Sequence, residues 1–173
     1  MRTIDYLLKV ISKIEGNLLG IGISDSKILK KIDENPNITT CNLLDDTNQS
    51  NSETTRGKQK KISFNKLRKI FKKKKIDYLI VDEKIINDKD KNFISDSIYI
   101  TKNTIIYLTS EKEKIVKKYS RYSVEIEEIK CLDRYVLKIK VGNAKNNRLK
   151  EKIYQVLDFF VYIIDTITDL LLN

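Results

Sequence analysis

The sequence contains no histidine and no tryptophan, and among its 173 residues there are one alanine (Ala144), one proline (Pro36) and two cysteines (Cys41 and Cys131). Without histidine a His-based triad is excluded, and two isolated cysteines lack the spacing of a zinc site. Both are expected to be buried, reduced thiols, the usual state of a free cysteine. A Walker-type phosphate loop is also missing, as is any pair of carboxylates placed for acid–base work. Asp82 and Glu83 are neighbours in sequence, but adjacent side chains on a strand point to opposite faces. Long apolar runs are lacking as well. Asp5, Lys9, Lys13 and Glu15 break the amino-terminal apolar residues, which argues against a signal peptide and for a cytoplasmic protein. Asp158, Asp165 and Asp169 interrupt the carboxyl-terminal stretch, which disfavours a membrane span.

What is present fits a chain that folds. Hydrophobic residues make up 40% and charged residues 34%, a globular balance, and the length suits one domain with appendages. The net charge of +10 is unevenly placed. From Arg56 to Lys75 there are eleven Lys or Arg and no acid, which leaves 23 basic against 24 acidic residues elsewhere. The entire excess sits in one segment.

Periodicity divides the rest. Ile4, Leu7, Leu8, Ile11 and Ile14 predict an amphipathic helix over Thr3 to Glu15, ended by Gly16. Asn17 to Ile23, apolar and punctuated by glycine, predicts a buried parallel strand that turns tightly into a helix over Asp25 to Asp33. Ile38 to Leu44 reads as a second strand after the turn residues Asn35-Pro36-Asn37. Residues 45–61 read as a flexible polar loop. Ser63 is placed to cap a helix reaching about Lys75, apolar on one side and cationic on the other. Asp77 to Asp82 predicts a central strand, Asn92 to Ile100 a short helix, Thr104 to Leu108 a strand after a turn at Lys102-Asn103, and Glu111 to Tyr119 a helix. Val124 to Leu132 and Tyr135 to Val141 flank Asp133-Arg134 as a β-hairpin. Alternating helix and strand implies an α/β fold, its sheet mostly parallel with right-handed crossovers and one antiparallel strand near the edge. The domain reading is 1–145 for the α/β unit and 146–173 for an extra carboxyl-terminal amphipathic helix.

In that last helix Leu149, Ile153, Val156, Phe160, Ile163, Ile167 and Leu170 alternate in steps of four and three, a heptad seam. Three readings are open: pairing with another chain as a coiled coil, packing back on its own sheet, or lying on a membrane. The acidic polar side makes the membrane the weakest of them. The seam residues Ile153, Val156, Phe160, Ile163, Ile167 and Leu170 are accordingly the candidate interface for a homo-oligomer or a protein partner.

Leu18-Leu19-Gly20-Ile21-Gly22-Ile23-Ser24 is similar to motif I of the class I S-adenosylmethionine-dependent methyltransferases, and the order of elements from Thr3 to Val141 resembles that Rossmann-like family. The resemblance places Gly22 on the first motif glycine, Gly20 where the family has an acidic residue, and Ser24 and Ser26 on the later glycines. The plain alternative is that Gly20 and Gly22 only permit a tight turn. The resemblance implies S-adenosylmethionine as cofactor, held by Gly20, Gly22 and Ser24, with Asn42 at the position whose usual acid accepts from the ribose. It puts Asp82, at the end of the motif IV strand, near the reacting methyl. The family's third strand is not visible in the sequence. The resemblance leads to two readings, a methyltransferase acting on RNA or another acidic partner, or a catalytically silent relative that assembles through its last helix. For RNA the candidate phosphate contacts are Lys66, Arg68, Lys69, Lys72, Lys73, Lys74 and Lys75, with a merely solvated helix face as the alternative. No metal site is expected.

Overall fold

The computed structural model describes residues 1–44, 59–60, 67–86 and 92–141. The polar loop up to residue 58, Lys66 and the whole heptad segment with its six interface residues lie outside them.

Among the described residues seven strands form one sheet in the order β3-β2-β1-β4-β5-β7-β6. They are β1 (Gly16–Ile21), β2 (Ile38–Leu44), β3 (Gln59–Lys60), β4 (Ile76–Asp82), β5 (Thr101–Thr109), β6 (Glu125–Lys130) and β7 (Tyr135–Lys140). The helices are α1 (Thr3–Ile11), α2 (Ser26–Glu34), α3 (Leu67–Ile70), α4 (Phe93–Ile100) and α5 (Lys112–Tyr119). β1 to β5 run parallel, and β7 is antiparallel to both β5 and β6, as a crossover sheet closed by a hairpin requires. The third strand, invisible in the sequence, exists as two residues pairing with Leu43 and Leu44, too short to leave an apolar pattern.

The central strands are apolar on both faces because helices cover both. Leu18, Ile80, Ile106, Leu108 and Val136 pack with Leu7, Ile11, Ile28 and Ile32 of α1 and α2. Leu19, Leu79, Val81, Ile105, Tyr107 and Leu137 pack with Leu67, Phe93, Ile115 and Tyr119 of the other three helices. Cys41 and Cys131 are buried free thiols. Burial, reinforced by Asp33, pushes the Cys41 thiol up to about 12, so it is an inert core group.

Three boundaries differ from expectation. Helix α1 stops at Ile11, and Gly16 (φ 97°) opens β1 instead of closing the helix. A Cβ at Gly16 would lie 2.9 Å from Cγ of Asp77, whose carboxylate accepts from the Asn17 N–H at 2.9 Å. Lys102 and Asn103 are strand residues at an irregularity of register, not a turn: Ile76 and Tyr78 of β4 face Thr101 and Thr104 of β5. The basic helix ends at Ile70, because Lys74 takes a left-handed conformation (φ 54°) and its backbone N–H donates to the Tyr99 carbonyl at 3.1 Å.

Candidate functional site

At the carboxyl edge of the sheet the last paired residues of β1 and β4 are Ile21 and Val81, so Gly22 and Asp82 come next, side by side. Gly22 turns the chain at φ 72°, a conformation that costs other residues roughly 1 kcal/mol or more. Asp25 then caps α2, its Oδ1 accepting from the N–H groups of Lys27 (2.9 Å) and Ile28 (3.2 Å). Between this turn, α1 and the β6–β7 turn lies a cleft of about 410 Å³, lined by Gly22, Ser24, Asp25, Asp82, Asp133 and Arg134 among others. Ile4, Leu7, Ile23, Ile28 and Leu108 give it apolar walls. Both size and lining suit a small-molecule site.

The charged side chains of this cleft are fixed in place. Oδ1 of Asp82 accepts from Arg134 Nη1 at 2.8 Å and from the Lys84 N–H at 3.2 Å, and both partners of the ion pair are largely buried. Glu83, which opens a short 3-10 turn after β4, accepts from the Thr109 hydroxyl and the Ser110 N–H, so the two acids have separate partners. Oδ1 of Asp133 accepts from the Thr3 N–H (2.9 Å) and hydroxyl (2.8 Å) at the start of α1. Desolvation would raise the Asp133 carboxyl, but the two bonds from Thr3 and the neighbouring Arg134 outweigh it and hold the group below the usual aspartate range. Leu132 donates its N–H to the Met1 carbonyl at 3.1 Å. Three consecutive turn residues thus reach Met1, Thr3 and Asp82.

The sequence-derived cofactor residues separate into three groups. Gly22 and Ser24 line the cleft together with Asp82. Gly20 is a packing glycine, since a Cβ there would meet Leu43 Cδ2 at 2.9 Å. Asn42 pairs with Leu19 in mid-strand, two residues before β2 ends, and lines a different cleft near the amino end of the sheet. Arg134, Asp133 and Thr3 were missed because a hairpin turn and a helix start carry no motif. Only the topology, which brings that turn to the carboxyl edge, signals them.

The basic segment is divided in a similar way. Arg68 is tied to α4: its Nε pairs with the buried Asp96 at 2.5 Å, Nη2 donates to Ser95 Oγ at 3.0 Å, and the guanidinium lies 4.8 Å from the Tyr99 ring centroid. Burial raises the Asp96 carboxyl, and Arg68 opposes that shift. Lys74 donates from Nζ to the carbonyls of Ile98 (3.1 Å) and Thr101 (2.8 Å), a cation at the end of a helix. Lys72, Lys73 and Lys75 are exposed, while the side chains of Lys66 and Lys69 lie outside the described set. No helix among the described residues is long and apolar enough to cross a membrane.

No family model matches the chain, and no curated protein matches it in sequence. Solved structures do match in fold. A candidate methyltransferase from Streptococcus mutans in complex with SAH (S-adenosylhomocysteine) aligns with a TM-score of 0.63 at 8% identity, over 81% of this chain and 98% of that one. A structure of the Haloferax volcanii Trm112 methyltransferase activator with a candidate methyltransferase also gives 0.63, at 12% identity over 81% and 88%. TrmK of M. capricolum, in complex with the cofactor product SAH, gives 0.53 at 13% identity over 80% and 68%.

Proposed function

Starting from a chain that has the Rossmann-like fold of class I S-adenosylmethionine-dependent methyltransferases, we propose that it binds S-adenosylmethionine in the cleft at the carboxyl edge and transfers its methyl group. The observation that carries this reading is the pairing of Gly22, left-handed at the end of β1, with Asp82 at the end of β4 across a cleft of about 410 Å³. Ligands of open α/β sheets bind at this edge, where a glycine lets backbone approach the ligand. The bound cofactor would supply an electrophilic methyl on a sulfonium, so that an acceptor lone pair forms the new bond as the carbon–sulfur bond breaks and SAH leaves.

The lining fits that chemistry. Among the described residues Asp25, Asp82 and Asp133 outnumber the guanidinium of Arg134, which favours a cationic sulfonium. Oδ2 of Asp82 has no partner among the described residues, and the hold on Oδ1 orients it to accept from a donor on the acceptor molecule. RNA as acceptor draws its support from the exposed Lys72, Lys73 and Lys75, whereas the cleft itself suits a reacting group without negative charge. The competing reading is a silent scaffold that binds a protein partner, through the heptad residues or elsewhere. Ser24 at a motif glycine position favours it, and the Trm112 complex gives an example of a protein partner within this fold.

Calorimetric titration with S-adenosylmethionine and SAH decides between them. The enzyme reading expects a dissociation constant on the order of 1–100 µM, lost in Gly22→Val while the variant stays folded. No heat and no thermal stabilisation at millimolar ligand would leave the scaffold.

A further inference from the structure

The second cleft, of about 350 Å³, lies toward the amino end of the sheet on the face that α3 to α5 cover elsewhere. Asn17, Thr40, Asn42, Ile70, Phe71, Lys72, Lys75 and Ile76 line it. On this face β2 presents Thr40 and Asn42, polar and not fully buried, where the neighbouring strands present buried Leu19 and Leu79. Toward the other face β2 presents buried Cys41 and Leu43, whereas Thr40 and Asn42 leave this stretch of the strand suited to meet something polar. Asn17 is already engaged: its Oδ1 accepts from the Thr40 hydroxyl at 2.7 Å and its Nδ2 donates to the Lys75 carbonyl at 3.2 Å. Asn42 has no side-chain partner among the described residues.

The chemistry of the lining is one-sided in charge and two-sided in polarity. Lys72 and Lys75 bring two ammonium groups, and no carboxylate joins them among the described residues. Ile70, 42% exposed and one of three large exposed apolar residues among those described, forms an apolar wall with the partly buried Phe71. An anionic phosphate joined through a sugar to a flat base with hydrogen-bonding groups at its edge complements such a lining. We infer that this amino-end cleft binds a phosphate-bearing nucleotide: Lys72 and Lys75 take the phosphate, Ile70 and Phe71 take the base, and the Asn42 amide reads its edge. The site is separate from the carboxyl-edge cleft and does not depend on cofactor binding there. The nucleotide comes either free or as one unit of single-stranded RNA, and the two sources share this chemistry.

The test uses the full chain, with adenosine and uridine monophosphates, inorganic phosphate and a fluorescent single-stranded RNA of about ten nucleotides, a length within the range such sites span. The paired substitution Lys72→Gln/Lys75→Gln is expected to weaken nucleotide or RNA binding by about tenfold at physiological salt and to flatten its salt dependence. The control pair Lys13→Gln/Lys117→Gln removes the same charge elsewhere and is expected to change binding less than about twofold. Asn42→Leu is expected to weaken the mononucleotides while leaving inorganic phosphate unchanged. Saturable binding of monophosphates assigns the free nucleotide, and binding of the oligonucleotide alone assigns RNA. The site is overturned if nothing binds, if both lysine pairs lose equally, or if nucleotides bind no better than inorganic phosphate and Asn42→Leu is silent. S-adenosylmethionine titration of the same variants reads the other cleft, so failure there leaves this result standing.

Discussion

The two ends of the sheet hold their charges differently. At the carboxyl end Asp25, Asp82 and Asp133 each spend one oxygen on local structure, capping α2, pairing with Arg134 and anchoring Thr3. At the amino end Asp77 is spent between the Asn17 N–H and Lys102, while Lys72 and Lys75 project from a turn. The first end is preorganised and acidic, and the second is basic and loosely held. A fixed carboxylate array suits a site that orients a ligand, because the ordering cost is met on folding. Lysines on flexible stems suit a site that attracts one.

The sharpest way to break this contrast is at Gly16. Gly16→Val combines a disallowed φ with a clash against Asp77 and should cost more than about 3 kcal/mol in denaturant unfolding. Shortening the opposing side chain in Gly16→Val/Asp77→Gly should recover part of it, and a loss below about 1 kcal/mol would mean that the amino end yields. Next in size is Arg68→Met, which strands buried Asp96 and should cost about 2–3 kcal/mol, with Asp96→Asn in the same chain recovering some of it. A neutral result would return Arg68 to the pool of phosphate-binding cations. Arg134→Gln should cost about 1–2 kcal/mol in denaturant unfolding, because it leaves the largely buried Asp82 carboxylate without its ion pair. A loss below about 0.5 kcal/mol would show that the carboxyl end is not held by this pair.

The smallest effect sharpens the contrast through pH. Asp133 has a lowered folded-state pKa, so its contribution is complete above the unfolded value of about 3.9 and fades as pH falls through the folded one. Asp133 is exposed, so Asp133→Asn should cost only about 0.5–1 kcal/mol at neutral pH. The gap from the parent chain should close in acid, and a gap independent of pH would mean that Asp133 acts by shape and not charge.

Much of the fold was legible because its signals are local. Ile38 to Leu44 matches β2 residue for residue, the helices expected over Asp25 to Asp33 and Asn92 to Ile100 match α2 and α4 to within a residue at each end, and the hairpin flanks the expected turn. What failed to show was set by tertiary contacts. Amphipathic spacing through Phe71 favoured a longer helix, but the bonds of Lys74 to the end of α4 reward a left-handed turn more than another helical turn. The same cause divides the expected site residues. Gly22, Ser24 and Asp82, read from spacing, line one cleft, whereas Asn42 lies two residues before the end of β2 and lines another, and Arg134 joins the first cleft from more than fifty residues away in sequence.

The clasp between Thr3 and Asp133 spans 130 residues of chain. On a ribosome adding about 5–20 residues each second, the first helix therefore waits on the order of 7–26 seconds between its own emergence and the arrival of the turn that secures it. Until then its buried Leu7 and Ile11 have only the neighbouring helix and the first strands to cover them. The first helix is thus made long before it is locked, and the acidic cleft comes into being only when that lock closes.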